Sequence, residues 1–167
     1  MPHTIRAYRP SDAAALSRLR YRAVRELAPI AYTPEQIAAW LPEPQSVAAV
    51  RARCEDGRRV RVCVDADDTL MGYTDLEADG HVDTLYTHPD SARRGVGTAL
   101  LAHVETIARA DGLARLFSEA SALAVGVFER AGFVRLERRE FELRGVAIYN
   151  FAVEKLLGAP GCSPDHL

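Results

Sequence analysis

The chain has 167 residues, of which 48% are hydrophobic and 26% are charged, and this composition excludes a mainly disordered protein. At about 150 residues per domain, the length predicts one domain that can bury a core without disulfides or a structural metal. The formal net charge is −2, whereas proteins that coat nucleic acids are strongly basic, so we expect no nucleic-acid partner.

The cysteines and the hydropathy pattern indicate a compartment. The chain has three cysteines, namely Cys54, Cys63 and Cys162, and no CxxC motif. Because the number is odd and the motif is missing, we expect no disulfide framework and a cytoplasmic location. No stretch approaches the roughly 18 uncharged apolar residues of a membrane span. Residues 1–10 lack the apolar centre of a secretion signal. The sequence therefore predicts no membrane association.

The first third of the chain predicts one strand followed by helices. Residues 4–8 suit the strand, and apolar residues at helical spacing follow a cap at Ser11 or Asp12. Thr33 is a favoured N-cap residue and Pro34 is favoured at the first helical position, so a second helix is predicted to begin here. The predicted helices cover residues 12–28, 34–41 and 45–54.

The remaining elements alternate between strands and helices. Val60, Val62 and Val64 alternate with charged residues, which predicts a half-buried strand in an antiparallel meander. The later predicted strands cover residues 70–77, 81–87, 114–120, 133–143 and 146–156, and the helices cover 95–110 and 123–131. This order predicts an α/β fold with a mixed, mostly antiparallel seven-stranded sheet flanked by helices. We expect residues 1–157 to form a single domain and 158–167 to form a flexible tail.

The segment RRGVGT at residues 93–98 is the most distinctive local feature. It lies between a predicted strand and a predicted helix, where glycines let the backbone approach a ligand closely. The helix start adds unpaired N–H groups and a partial positive charge, so the segment predicts a diphosphate site. Taken alone, it fits an ordinary strand–helix turn equally well. It is not a dinucleotide fingerprint, because Leu100 replaces the third glycine.

Three motifs in order resemble the GCN5-related N-acetyltransferase (GNAT) superfamily. They are LYTHPD at residues 85–90, the glycine loop, and FERAGF at residues 128–133. The family pattern is a strand end L-x-V-x-P, then Q/R-x-x-G-x-G/A, then an aromatic-E-x-x-G-F sequence. The resemblance implies an acyl-CoA N-acyltransferase-like fold. It also implies transfer of the acetyl group of acetyl-CoA to a primary amine of a small molecule or peptide.

The resemblance also implies which residues bind the cofactor. The glycine loop would bind the diphosphate of acetyl-CoA, and strands ending near Thr87 and Ala120 would separate to admit the pantetheine arm. The implied cofactor contacts are Leu85, Tyr86, Thr87, Arg93, Arg94, Gly95, Val96, Gly97, Thr98, Ser121 and Phe128.

Some departures of this sequence from the family pattern matter for cofactor binding and chemistry. Ala92 replaces the first Q/R of the glycine motif, and Ser121 stands where relatives often have an Asn that contacts the cofactor. Phe128 stands where many relatives have a tyrosine that protonates the leaving thiolate. We expect Phe128 to pack at the cofactor wall and propose Tyr149 as a replacement acid.

The chemistry implied by the resemblance needs a base for the amine proton and a donor for the developing oxyanion. His81 and Asp83 share one face of a predicted strand, at positions where the family keeps bases that point at the acceptor. An imidazole with a pKa of about 6.5 suits proton transfer at neutral pH. Glu119 is the reserve candidate, and surface positions are the alternative for all three residues.

The acceptor side and the overall function leave more alternatives open. Tyr32 and Trp40 flank the predicted second helix, where the family builds its acceptor pocket; packing of that helix is the alternative. No Cys/His cluster has metal-ligand spacing, so we predict no metal. A homodimer is compatible with the family. The alternatives to N-acetyl transfer are a non-catalytic acyl-CoA sensor and a transferase that uses another acyl group or an oxygen acceptor.

Overall fold

The computed structural model describes residues 2–158, which contain seven strands and five α-helices. The strands are β1 (Thr4–Ala7), β2 (Arg59–Val64), β3 (Leu70–Leu76), β4 (Leu85–Thr87), β5 (Arg115–Ala120), β6 (Val134–Leu143) and β7 (Val146–Leu156). The helices are α1 (Ala13–Leu27), α2 (Pro34–Trp40), α3 (Val47–Cys54), α4 (Val96–Ala110) and α5 (Val125–Arg130). None of these helices has the length and apolar character to cross a membrane. The predicted tail beyond Gly158, with Cys162, lies outside the described residues.

Local sequence determines where α2 begins. The Thr33 hydroxyl accepts a hydrogen bond from the Gln36 N–H at 3.2 Å, and the Gln36 side chain accepts one from the Thr33 N–H at 3.0 Å. This reciprocal pair, with Pro34 at the first helical position, is a capping box. Pro29 tightens the chain into a 3₁₀ turn over Ala28–Ile30 after α1. The predicted start of the second helix is therefore confirmed.

The strands form two antiparallel sheets that meet at one end. The first sheet has the order β1-β2-β3-β4, and the second has the order β5-β7-β6. An isolated parallel bridge between His81 and Phe117 joins them. The Phe117 carbonyl accepts a hydrogen bond from the Val82 N–H at 2.9 Å, and the Phe117 N–H donates to the Gly80 carbonyl at 3.1 Å. The expected seven-stranded sheet is thus divided into four and three strands.

The predicted strand over residues 81–87 is wrong in its first half, because β4 begins only at Leu85. The buried carboxylate of Asp75 accounts for the difference. Its Oδ1 accepts hydrogen bonds from the N–H groups of Asp83 and Thr84, each at 2.9 Å. A side chain therefore takes the backbone donors of this segment, and the regular ladder with β3 starts later.

One apolar cluster connects the two sheets. Leu76 and Val82 from the first sheet's side pack in the same cluster as Leu116, Ala120 and Val153 from the second sheet. All five are at most 3% exposed. The shared core holds the joined end of the sheets together and leaves the other end free to diverge.

Candidate functional site

A cavity of about 560 Å³ opens where the two sheets separate. Leu85, Tyr86 and Thr87 of β4 line one side, and Ser121 and Ala122, which follow β5, line the other. The gap lies between the ends of β4 and β5, near Thr87 and Ala120, where the family resemblance implies that two strands separate. The cavity is therefore placed by the topology, since β4 pairs with β3 and β5 pairs with β7.

The glycine loop forms one wall of this cavity. Arg93 and Gly95 have φ angles of +62° and +77°, and these left-handed conformations turn the chain into the start of α4. The Ala99 N–H bonds back to the Gly95 carbonyl at 2.9 Å, so the N–H groups of residues 96–98 precede the first intrahelical bond. Free N–H groups at the positive end of a helix dipole suit an anion such as a diphosphate.

The opposite wall comes from α5 and contains residues that the sequence analysis missed. A Cβ atom built on Gly97 would lie 3.1 Å from Val127 Cγ1, so α4 and α5 approach closely across the cavity. Ala124, Val127 and Arg130 all line the cavity. Ala124 and Val127 lie in the predicted helix over residues 123–131 and carry no polar group that would mark a cofactor contact. Their position just before or within the FERAGF helix is the signal that could have identified them.

Two members of the predicted cofactor set do not line the cavity. Phe128 is 2% exposed and packs edge-to-face on Phe133, with ring centroids 5.0 Å apart, because this face of α5 points into the shared core. Arg94 is exposed on the loop, outside the lining. The structure brings the remaining predicted cofactor residues together around the cavity, namely Leu85, Tyr86, Thr87, Arg93, Gly95, Val96, Gly97, Thr98 and Ser121.

His81 lies between two carboxylates at the joint of the sheets. Its Nε2 is 2.6 Å from Glu119 Oε2 and its Nδ1 is 3.2 Å from Glu77 Oε1. The ring also stacks on Phe117, with centroids 5.0 Å apart. Burial opposes the protonated form, but the hydrogen bond to Glu119 and its charge outweigh burial, so the pKa of His81 is raised. His81 and Glu119 thus form a pair that links the segment between β3 and β4 to β5.

Asp83 contacts two arginines. Arg58 Nη1 lies 3.1 Å from Asp83 Oδ2, and the Arg53 guanidinium bonds to the same oxygen. Burial alone would raise the pKa of Asp83, but the positive charge of Arg53 and its hydrogen bond lower it. A carboxylate held ionised in this way is a poor proton acceptor. The contacts of Asp83 therefore fit an ion-pair network better than the catalytic base that we predicted.

None of the three predicted base candidates lines the cavity. His81 precedes Leu85, a lining residue, by four positions, which is about 13 Å along an extended chain at roughly 3.3 Å per residue. Asp83 and Glu119 are also outside the lining. The structure therefore does not bring the predicted bases to the cavity lining, and a base role for His81 or Glu119 stays a prediction.

A possible metal-ligand group was missed by the sequence analysis. Ligand atoms of Glu77, His81 and Asp83 lie within 4.8 Å of one another. Cys/His spacing does not reveal this group, because its members come together only where the segment after β3 folds back. Arg53 and Arg58 already balance the charge of Asp83. The absence of a metal stays a prediction.

Of the two predicted acceptor residues, only Trp40 lines the cavity. Tyr32 is 5% exposed; its hydroxyl accepts a hydrogen bond from the Ala122 N–H at 2.9 Å and donates to the Tyr149 carbonyl at 3.0 Å. Burial raises the pKa of Tyr32. Trp40 packs edge-to-face against Tyr32, with centroids 5.5 Å apart. Tyr32 thus fixes the cavity edge and supports Trp40 from behind.

Tyr149 has a structural environment. Its hydroxyl donates to the Ala31 carbonyl at 3.2 Å, and the guanidinium carbon of Arg138 lies 3.9 Å from its ring centroid. It does not line the cavity. The position of Tyr149 therefore gives no support to our prediction that it replaces the missing acid.

The glycine loop, the diverging sheets and the cavity between them can now be compared with known proteins. Residues 29–155 match the family model of the acetyltransferase (GNAT) domain. The chain belongs to the GNAT acetyltransferase family. It is accordingly an acyltransferase, as the three sequence motifs predicted.

Individual relatives agree with the family assignment. The uncharacterized N-acetyltransferase YafP of Escherichia coli is 29% identical over 147 residues, which cover 88% of this chain and 91% of YafP. A GCN5-related N-acetyltransferase from Rhodopseudomonas palustris has a TM-score of 0.85 at 29% identity, covering 94% of this chain and 97% of that one. The protein yncA of Salmonella typhimurium, solved with its cofactor acetyl-CoA, has a TM-score of 0.72 at 20% identity over 100% of both chains. The predicted acyl-CoA N-acyltransferase-like fold is confirmed.

Proposed function

We propose that this GNAT protein transfers the acetyl group of acetyl-CoA to a primary amine of a small molecule or peptide. The observation that carries the proposal is one continuous cavity that reaches from the glycine loop, through the gap between the sheets, to Trp40. The free amides of residues 96–98 fit the diphosphate, and the gap fits the pantetheine arm. The part near Trp40 leaves space for an acceptor beside the thioester.

The edge of β4 supplies backbone groups for the thioester. The His88 N–H bonds to the Met71 carbonyl at 2.8 Å, and Tyr86 is the register partner of Tyr73. In an antiparallel ladder alternate residues turn away from the partner strand, so Leu85 and Thr87 direct N–H and C=O groups towards the cavity. One of these N–H groups is suited to stabilise the developing oxyanion.

The proposed reaction is direct attack by the amine. The amine nitrogen forms a bond with the acetyl carbon, the carbon–sulfur bond breaks, and sulfur leaves as the thiolate. The amine proton passes through solvent to His81, whose imidazolium Glu119 then stabilises. Phe128 has no hydroxyl to protonate the thiolate, so in this proposal the thiolate takes its proton from solvent.

Thiol release from acetyl-CoA across a panel of amines tests the proposal. We expect release that depends on both the amine and the enzyme, and an acetylated product of matching mass. Omitting the amine is the control for thioester hydrolysis. Tight binding of coenzyme A in calorimetry, without release for any amine, would favour the alternative of an acyl-CoA sensor. Including an alcohol and a longer acyl-CoA covers the oxygen-acceptor and other-acyl alternatives.

Three further expectations stay proposals. We propose that residues 1–157 form a single domain, supported by the apolar cluster shared by both sheets. We propose a cytoplasmic location, supported by Cys54 and Cys63, which are both free thiols. A homodimer stays a prediction from the family resemblance.

A further inference from the structure

The cavity has two chemically different walls. The cofactor wall consists of the glycine loop and α5, and it carries the arginines Arg93 and Arg130. The acceptor wall consists of α1, the turn after it, Trp40 and Leu123, and its side chains are mainly apolar, including Val24, Leu27 and Ile30. In the part of the chain that the structure describes, the positively charged residues that line the cavity are all on the cofactor wall. Their charge is complementary to phosphate groups.

Among the described residues of the acceptor wall, Glu26 is the one charged side chain. It already forms an ion pair with Arg22. Arg22 Nε lies 2.7 Å from Glu26 Oε1, and Arg22 Nη2 lies 3.1 Å from Glu26 Oε2. This pair leaves the acceptor wall with little net charge.

The neighbouring arginines of α1 are directed elsewhere. Arg25 donates to the carbonyls of Leu41 at 3.3 Å and Pro42 at 2.9 Å. Arg20 donates to the side chain of Gln45 at 2.7 Å and lies 5.3 Å from the ring centroid of Tyr86. An acceptor with its own carboxylate would therefore lose water on this wall without gaining a cation, which is costly.

The rim of the acceptor wall exposes apolar surface. Ile30 is 79% exposed although it borders the cavity, and Trp40 presents part of its indole there. An apolar ligand that covers these groups gains about 25 cal/mol for each Å² removed from water. The wall thus favours an acceptor with an apolar body.

We propose that the acceptor is a small apolar primary amine that carries no anionic group and packs against Trp40. This inference rests on the proposed acetyl transfer. A wall that binds free amino acids would need an unpaired cationic side chain to bind the α-carboxylate. The described residues of this acceptor wall do not provide one. Arg93 and Arg130 do not fill that role, because they stand on the wall that faces the cofactor.

Three matched compounds test the role of charge. 2-Phenylethylamine and L-phenylalanine differ by one carboxylate, and L-phenylalaninamide has the bulk of the amino acid without its charge. We expect kcat/KM for the amine and the amide to exceed that for L-phenylalanine at least tenfold. A value for L-phenylalanine that equals or exceeds that of 2-phenylethylamine overturns the proposal. So does activity restricted to anionic amines.

Binding provides a readout that does not need turnover. Trp40 is the only tryptophan in the chain, so tryptophan fluorescence reports on the acceptor wall. With coenzyme A bound, we expect 2-phenylethylamine to change the emission in a saturable way and L-phenylalanine at the same concentration to leave it unchanged. Trp40→Phe is the control that removes the signal. A saturable change with L-phenylalanine alone contradicts the proposal, whereas binding of the amine without thiol release contradicts only the proposed catalysis.

A gain-of-function variant completes the test. Ile30→Arg adds a cation at an exposed rim position, where the side chain can be accommodated without disturbing the core. We expect it to reduce the preference for 2-phenylethylamine over L-phenylalanine at least tenfold. Ile30→Gln is the matched control, because it adds polarity without charge and should retain most of the preference. An unchanged preference in Ile30→Arg would show that charge on this wall does not select the acceptor.

Discussion

Gly95 and Gly97 are both needed in the glycine loop, but for different physical reasons. Gly95 has a left-handed φ of +77°, and a Cβ atom there would meet nothing within 4 Å, so its requirement is conformational. Gly97 has no such φ, but its Cβ atom would lie 3.1 Å from Val127 across the cavity. At Gly97, therefore, the missing side chain keeps open the space between α4 and α5 at the edge of the cavity.

We predict that Gly97→Val weakens coenzyme A binding at least tenfold, which corresponds to about 1.4 kcal/mol. The added methyl groups would occupy the space between α4 and Val127. Isothermal titration calorimetry with coenzyme A measures the effect. Ala102→Val is the matched control, because it adds methyl groups at an exposed position of α4 that does not line the cavity. Unchanged affinity in the Gly97 variant would remove the loop from the cofactor site.

The His81–Glu119 pair predicts a defined pH profile. His81 accepts a proton only when it is neutral, so kcat/KM should rise with pH through its raised pKa. We expect His81→Gln to lower kcat/KM at least about tenfold with little change in coenzyme A affinity, a smaller loss than for a base in direct contact with the amine. Glu119→Gln removes the negative charge that helps to raise the pKa of His81, and should move the acid limb to lower pH. Full activity with an unchanged profile in both variants would mean that a neutral amine attacks without this base.

The same pair affects stability in a direction that is fixed by linkage. Because the folded-state pKa of His81 is raised, its stabilising contribution is fully present below the unfolded pKa of about 6.5 and is lost as pH rises through the folded pKa. The difference in unfolding free energy between wild type and His81→Gln should therefore be largest at acidic pH. Urea titrations at several pH values test this. A difference that grows with rising pH would contradict the ion pair.

At the scale of elements, the start of β4 depends on Asp75 near the end of β3. Its Oδ1 binds two backbone N–H groups, and its Oδ2 lies 3.0 Å from Arg53 Nη2 and 3.1 Å from Arg58 Nη1. The side chain of Asp75 is 1% exposed, so these hydrogen bonds and ion pairs replace the contacts that its carboxylate would make with water. Asp75 connects α3, the approach to β2 and the segment before β4, and so sets where the cavity edge begins.

We predict that Asp75→Ala destabilises the fold by about 3–5 kcal/mol, because it leaves two guanidinium groups and two N–H groups without their partner. Asp75→Asn keeps an oxygen acceptor for the N–H groups and should lose less. Asp67→Ala, at an exposed turn, is the surface control and should stay within about 0.5 kcal/mol. Urea denaturation measures all three. Wild-type stability in Asp75→Ala would show that β4 does not depend on this carboxylate.

The whole molecule combines one shared core with two sheets that diverge. Gly72 in β3 illustrates how closely the layers fit: a Cβ atom there would lie 2.7 Å from Val96 Cγ1 and 2.9 Å from the Tyr86 carbonyl. The first turn of α4 therefore rests directly on the sheet, and the glycine loop is held at the open end of the cavity. A ligand in the gap would contact both sheets.

We predict one cooperative unfolding transition, with the same midpoint by far-UV circular dichroism and by Trp40 fluorescence, because both sheets share a core cluster. Coenzyme A at 100 times its Kd should add about 2.7 kcal/mol of stability. Gly97→Val should gain less at the same coenzyme A concentration. Different unfolding midpoints for the two probes would contradict the single domain. An unfolding midpoint that does not change when coenzyme A is added would contradict the cofactor site.

The sequence by itself determined the features that depend on neighbours within a few residues. The capping box of Thr33 and Gln36, the alternation around Val62 and the glycine loop are local, since their hydrogen bonds or periodicity lie within one turn or one strand. The three family motifs then predicted the fold, the acyltransferase class and most residues that line the cofactor wall.

Only the tertiary structure decided what depends on residues distant along the chain. His81 and Glu119 are 38 positions apart, and Arg53 and Asp83 are 30 positions apart. The predicted strand over residues 81–87 failed for the same reason: periodicity does not report a buried carboxylate that takes the backbone donors. The apolar acceptor wall likewise exists only because α1 and Trp40 fold over the gap. Local propensity acts within a segment, whereas charge pairing and cavity walls arise from the packing of different segments.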